Sequence, residues 1–362
     1  QITDLSALDG LTELIYVLAD NNQISNVTPL SGLQKLKRLH LSSNQLANIS
    51  GISTLLDMEY LLLDHNAIND ISPLVNMTQL KTLFLHDNQI DNISGLDTMS
   101  VLDRLNLSNN QISDISSIST LDQLDWLLLS NNNVTDISAL ANKPKMTLLD
   151  LNLNQITDIS VLYTNFELKT LYLAFNQITE ADLLVNINKL QTLLLQSNQI
   201  EDLLIMQEST TALSYINLSY NKLTTAEHLF SLPFTQRIDI SGNNNLPSYQ
   251  LDQLKAELGA EKVIHNGTCL DIEEPIMLAD LTYYDLDVIV CVTNYAADRG
   301  WKTVSEMTSL NCEGRPQFSY AGLEQLTALT ELYLGETGAF DLSPLASLTE
   351  LTILDVSGSY IT

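Results

Sequence analysis

The chain has 362 residues, enough for a packed core, and 45% of them are hydrophobic, yet no uninterrupted apolar run is long enough to cross a bilayer. Lys and Arg number 16 against 44 Asp and Glu, a formal charge of −28. Nucleic acid and anionic membrane surfaces are held by basic side chains that replace counterions, so this balance argues against both as partners.

From the beginning of the chain, Asn recurs every 22 residues: Asn22, Asn44, Asn66, Asn88, Asn110, Asn132, Asn154, Asn176 and Asn198. After one inserted residue the series continues at Asn221 and Asn243. Each Asn closes the pattern L-x-x-L-x-x-L-x-L-x-x-N-x-I, as in Leu33, Leu36, Leu39, Leu41, Asn44 and Leu46. The L-x-L segment predicts a short strand with leucines inward and the intervening residues outward. Stacked copies predict a parallel sheet. Asn carries donors and an acceptor on a short arm, so the expectation is a buried amide ladder where the chain leaves each strand.

After the ladder residue comes I-x-[DN]-[IV]-[ST], as in Ile68-Asn69-Asp70-Ile71-Ser72. Its Asp or Asn recurs at 26, 48, 70, 92, 114, 136, 158 and 202, with Glu180 in one copy. Such residues accept hydrogen bonds from the start of a turn or 3₁₀ helix, and Pro29, Pro73 and Pro344 fall early in that segment, where a missing N–H is harmless. A row of carboxylates could also be read as a divalent-cation edge. Capping is preferred, because Asn replaces Asp freely and hard cations want clustered oxygens. Sequons such as Asn26-Val27-Thr28, Asn106-Leu107-Ser108 and Asn266-Gly267-Thr268 appear repeatedly; most are by-products of the repeat, and they would burden a secreted eukaryotic protein, so a bacterial origin is the easier reading.

The phrases Asn22-Gln23-Ile24, Asn88-Gln89-Ile90, Asn110-Gln111-Ile112-Ser113-Asp114-Ile115-Ser116 and Asn154-Gln155-Ile156-Thr157-Asp158-Ile159-Ser160 resemble the 22-residue leucine-rich repeats of bacterial internalins and related surface proteins. The resemblance covers residues 1–246 and resumes near 308. It implies an α/β leucine-rich-repeat solenoid: a right-handed horseshoe with a parallel sheet on the concave face, short 3₁₀ turns on the convex face, and helical caps. It also implies protein recognition by the concave sheet. Intracellular phosphatase-regulatory subunits share a similar repeat and are also acidic, so the repeat leaves the compartment open.

Beyond Asn243 the period fails. Leu251, Leu254 and Leu258 lie at helical spacing before Gly259, which predicts a capping helix over an open solenoid end, and Lys262 to His265 read as a strand. The expected division is a first array with its cap over 1–268 (cap about 248–265), a linker over 269–279, and a helical cap followed by a second array over 280–362. That helix carries Leu286, Ile289, Val290 and Val292; in the array Arg315, Thr337 and Ser359 occupy the ladder slot. Both chain ends fall inside a repeat and no leader precedes the first, so a piece of a longer protein is expected. Cys312 replaces an inward Leu and Cys291 lies on the preceding helix, so a Cys291–Cys312 disulfide is preferred over two buried thiols, leaving Cys269 over.

Outward positions lie six, four and two residues before each Asn, and one before it. They place Tyr60, Leu62, Phe84, Trp126, Leu128, Tyr172 and Leu194 on one face with Arg38 and Arg104. Aromatics favour any sheet, but a contiguous apolar cluster points to an interface, and the Arg residues to acidic groups on a protein partner. His40, His65 and His86 fall on or beside this face with Asp64 and Asp87. A transition-metal or pH-sensing site is one reading. Polar surface beside an interface is the preferred one, with no metal or other cofactor expected. No catalytic motif accompanies the cluster. The expectation is a non-catalytic, exported or cell-surface recognition module; the alternative is an intracellular scaffold docking an enzyme such as a phosphatase.

Overall fold

A computed structural model describes residues 1–181, 184, 187–203, 213–230, 232, 235–246, 248–265, 286–299, 301, 304–313, 320, 322–335 and 342–357. Cys269, the 269–279 linker, Arg315, Thr337 and Ser359 lie outside them. The chain forms two compact units, Gln1–Thr268 and Cys269–Thr362.

In the first unit each repeat contributes one three-residue strand: β1 (Tyr16–Leu18), β2 (Arg38–His40), β3 (Tyr60–Leu62), β4 (Thr82–Phe84), β5 (Arg104–Asn106) and β6 (Trp126–Leu128). The series goes on through β7 (Leu148–Asp150), β8 (Thr170–Tyr172), β9 (Thr192–Leu194), β10 (Tyr215–Asn217) and β11 (Arg237–Asp239), and ends on the two-residue β12 (Val263–Ile264). All pair in parallel, each with its sequence neighbours. Register is fixed by the repeat, Arg38 opposite Tyr60 and Tyr60 opposite Thr82. The inward residues Leu39, Leu61, Leu83 and their equivalents are fully buried and form one continuous core along the unit.

The ladder works as the chemistry requires. Asn132 Nδ2 donates to the carbonyls of Leu107 at 3.0 Å, Leu129 at 3.1 Å and Ser130 at 3.3 Å, while its Oδ1 accepts from the Ile112 N–H at 2.9 Å. One side chain thus closes its own turn and ties it to the preceding repeat. The same set recurs as far as Asn243. The residue before each ladder Asn has positive φ, among them His65, Asp87, Asn109 and Gly242.

The capping row also has its partners. Asp70 Oδ1 accepts from the Ser72 N–H at 2.8 Å, and Asn48, Asn92, Asp114, Asp136 and Asp158 repeat the bond at the 3₁₀ turns. Asp202 departs from the row: its carboxylate takes His228 Nδ1 at 2.9 Å. The helix α1 (Ser248–Leu258) covers the last repeat, burying Leu254, and its Gln250 Oε1 accepts from the Ala226 N–H at 2.8 Å.

The second unit has its own core. In α2 (Leu286–Arg299) it is Val288, Cys291, Val292 and Ala296 that are buried, against Met307, Leu310 and Leu332; Ile289 and Val290 are half-buried. A parallel sheet joins β13 (Ser309–Asn311), β14 (Glu331–Tyr333) and β15 (Ile353–Asp355), again at a 22-residue register. Cys291 and Cys312 are disulfide-bonded with Cα atoms 5.8 Å apart, which pins α2 to the end of β13.

Candidate functional site

The concave face is built by the outward residues of β1 to β11. The first outward column sets a guanidinium beside an aromatic ring at three places along the sheet. Arg38 lies between two rings, its guanidinium carbon 4.4 Å from the Tyr60 centroid and 5.6 Å from that of Tyr16. Arg104 lies 4.7 Å from the Trp126 centroid, and Arg237 5.8 Å from that of Tyr215. Each cation over an aromatic face contributes about 0.5–1 kcal/mol where exposed, and stacking holds both side chains extended over the sheet. Beside this column, Lys37 and Lys81 both bond the Glu59 carboxylate, at 2.8 and 2.7 Å, and these bonds bring its pKa down to about 2.

The second column holds the apolar groups. Leu62, Phe84 and Leu128 are half-buried, as are Tyr60 and Trp126 beside them. Two expected members of the exposed patch are not exposed. Tyr172 retains 7% and Leu194 5% of its accessible surface; they lie in register on β8 and β9, with Asp150 and Asn217, also buried, on either side. Of the expected members, those that keep accessible surface lie on β3, β4 and β6, and the face is most exposed at its start, where Tyr16 and Leu18 of β1 retain 62% and 64%. Asp150 at the start of the closed stretch is itself buried. Burial pushes its pKa up to about 6, against the opposing bonds from the Asn152 N–H at 2.9 Å and the Ser130 hydroxyl.

The third column and the ladder-adjacent turn bring together four of the residues that the sequence places on or beside this face, Asp64, His65, His86 and Asp87. Asp64 Oδ2 lies 3.1 Å from His65 Nδ1 and 3.6 Å from His86 Nε2; Asp87 Oδ2 lies 3.5 Å from His65 Nε2 and 3.9 Å from His86 Nε2. One donor atom each from Asp64, His65 and His86 falls within a 4.8 Å set. The second Asp64 oxygen accepts from the Ser42 hydroxyl at 2.7 Å. Burial lowers the His86 pKa; for His65 burial is outweighed by the Asp64 bond and the nearby carboxylates, and the value rises. His40 is separate from this set, 3.8 Å from Asp20.

Sequence reading missed two buried polar residues on the turn side. Lys143 and Asn165 occupy a slot held by Leu, Met or Ile in neighbouring repeats, and inspecting that slot for polar residues would have found them.

Family models described as "Leucine Rich repeats (2 copies)" and "Leucine Rich repeat" match residues 57–98, and residues 32–53 and 142–162. The internalin InlF of Listeria monocytogenes superposes with a TM-score of 0.59 at 22% identity, over 95% of this chain and 87% of that one. The chain has the leucine-rich-repeat fold, similar to that of the internalins. A leucine-rich-repeat protein of Leptospira interrogans gives the same TM-score at 22% identity, over 71% of this chain and 73% of that one. The plant peptide hormone receptor RGFR1, in complex with RGF2, gives 0.53 at 18% identity, over 96% of this chain and 64% of that one. The sequence matches no curated protein. Among the described residues, no helix of this leucine-rich-repeat protein is long and apolar enough to cross a membrane.

Proposed function

We propose that the protein is a non-catalytic recognition module that binds a protein ligand across the concave face of β2 to β6, outside the cytoplasm on the cell surface or in secreted form. The observation that carries this is the partly exposed set Tyr60, Leu62, Phe84, Trp126 and Leu128, bordered by Arg38 and Arg104 on neighbouring strands. Large apolar groups in register on a soluble surface are an unfavourable arrangement unless something covers them, and Tyr, Trp and Arg dominate binding energy when it does. The stacked Arg side chains are already ordered, so a partner carboxylate meets them at reduced entropic cost. In this reading Tyr172 and Leu194 support the face from below rather than contact the ligand.

A solenoid face is a broad trough without the enclosed cavity that a small-substrate enzyme needs. The Cys291–Cys312 bond supports an oxidising compartment. The alternative, an intracellular scaffold for an enzyme such as a phosphatase, requires these cysteines reduced in native material.

The test is capture of a protein ligand from host or membrane extracts by wild type, by the combined Tyr60→Ser, Phe84→Ser and Trp126→Ser variant, and by Asp91→Lys on the turn side. Loss of the captured protein in the still-folded triple variant, with retention in Asp91→Lys, is the expected result. Equal capture by all three sinks the assignment of the face.

A further inference from the structure

We infer that Asp64, His65 and His86 form a binding site for a divalent transition-metal ion of the zinc type, with Asp87 as the carboxylate that orients His65. The inference rests on these four side chains alone and is independent of what the concave face binds.

The geometry is close to what a metal needs. Donors around a tetrahedral ion at 2.0–2.2 Å lie about 3.3 Å apart. Here Asp64 Oδ2 is 3.1 Å from His65 Nδ1 and 3.6 Å from His86 Nε2. All three donor atoms lie within 4.8 Å of one another, so an ion needs only small side-chain rotations to draw them in. Asp64 and His65 are sequence neighbours, which in an extended strand would point to opposite faces. The positive φ of His65, 53°, breaks that alternation and turns both toward one centre.

The remaining atoms fit the same assignment. With Nδ1 on the metal, neutral His65 carries its proton on Nε2, which lies 3.5 Å from Asp87 Oδ2. That oxygen is buried and has no hydrogen-bond partner among the described residues. A carboxylate on the far nitrogen of a ligating imidazole fixes the tautomer and ring orientation. Asp64 is held from behind by the Ser42 hydroxyl at 2.7 Å.

Donor type selects the ion. Two imidazoles and one carboxylate suit Zn²⁺, Co²⁺ or Ni²⁺, whereas Ca²⁺ and Mg²⁺ require an oxygen cage that these residues do not supply. Three protein donors leave a fourth position for water. The His65 side chain is 42% exposed, so the cluster is open to solvent and an ion can enter.

The experiment uses tag-free, chelator-stripped protein. Zn²⁺ is titrated by calorimetry and Co²⁺ by its visible ligand-field absorption, for wild type, His65→Gln, His86→Gln, Asp87→Asn and His228→Gln, each checked for fold by circular dichroism. The expected result is one ion per chain, loss of saturable binding in His65→Gln and His86→Gln, about tenfold weaker binding in Asp87→Asn, and no change in His228→Gln. Ca²⁺ at millimolar concentration should not compete. Absence of saturable Zn²⁺ binding, or unchanged binding in the folded His65→Gln, His86→Gln double variant, overturns the inference.

Discussion

Asn165 Oδ1 accepts a 2.7 Å hydrogen bond from the backbone N–H of Lys143, and the two residues fill consecutive copies of a slot that elsewhere holds Leu33, Leu55, Met77, Met99 and Leu121. Asn165 Nδ2 also donates to the Leu140 carbonyl at 2.9 Å, and Lys143 Nζ reaches the Ser119 carbonyl at 2.6 Å, with Asp122 3.6 Å away. The repeat has here exchanged apolar packing for hydrogen bonds between turns.

The two residues should respond differently to replacement. Asn165→Ala strands a buried N–H and a buried carbonyl, a cost of about 2–4 kcal/mol. Lys143→Met keeps the volume, removes an ammonium from a buried place, and leaves the Ser119 carbonyl to water at the surface; we expect a gain of about 1 kcal/mol. Urea unfolding of each variant measures both. A Lys143→Met protein less stable than wild type would show that the ammonium contacts outweigh its desolvation.

The ladder gives a graded prediction. Asn132→Ala in the interior leaves the Ile112 N–H and the Leu107 and Leu129 carbonyls without their side-chain partner, at about 3 kcal/mol or more. Asn22→Ala at the first repeat should cost less, since its Oδ1 serves only the exposed Ile2 N–H and its surroundings admit water. Equal losses at the two positions would mean that burial does not set the ladder's contribution.

The fold was legible because every copy repeats the same leucine spacing, and the Asn fixes the register of whatever precedes it. The outward columns follow from that register as well. What does not follow is how far each outward residue remains accessible. Tyr172 and Leu194 read like Leu62 and Phe84, and both pairs lie in register on adjoining strands, yet the first pair is buried and the second is half-buried. The Asp64–His65–His86 cluster was harder still. Its convergence depends on the left-handed turn before Asn66, a backbone property that side-chain periodicity does not encode. Lys143 and Asn165 were visible all along as exceptions within a regular column.

The disulfide should act on one core only. Cys291 and Cys312 close a loop with a sequence separation of 21, for which loop-closure entropy gives about 3 kcal/mol. The chain's two Trp residues separate the units, Trp126 on β6 of the first and Trp301 against the core of the second. In a Cys291→Ser, Cys312→Ser protein, unfolding followed by Trp301 in a Trp126→Phe background should shift to lower denaturant. Unfolding followed by Trp126 in a Trp301→Phe background should not. A shift in the second without the first would contradict the separate cores.

The last prediction concerns pH and Asp150. Burial raises its folded-state pKa from 3.8 to about 6, while in the unfolded chain it ionises near the ordinary value. Well below the unfolded value of 3.8 both states hold the proton and the group does not affect stability. Between about pH 4 and 6 the unfolded chain releases the proton and the folded chain keeps it, so stability falls as pH rises. Above the folded value the loss is complete and amounts to about 3 kcal/mol, because each tenfold change in proton affinity corresponds to about 1.4 kcal/mol. Asp150→Asn keeps an oxygen to accept the Asn152 N–H and has no proton to lose. The variant should therefore be more stable than wild type at pH 7.5, with the difference mostly gone by pH 4 and vanishing below the unfolded value of 3.8. Thermal unfolding of both proteins across that range is the measurement. A difference that stays constant with pH would mean that Asp150 is ionised throughout, stabilised by the Asn152 and Ser130 bonds despite its burial.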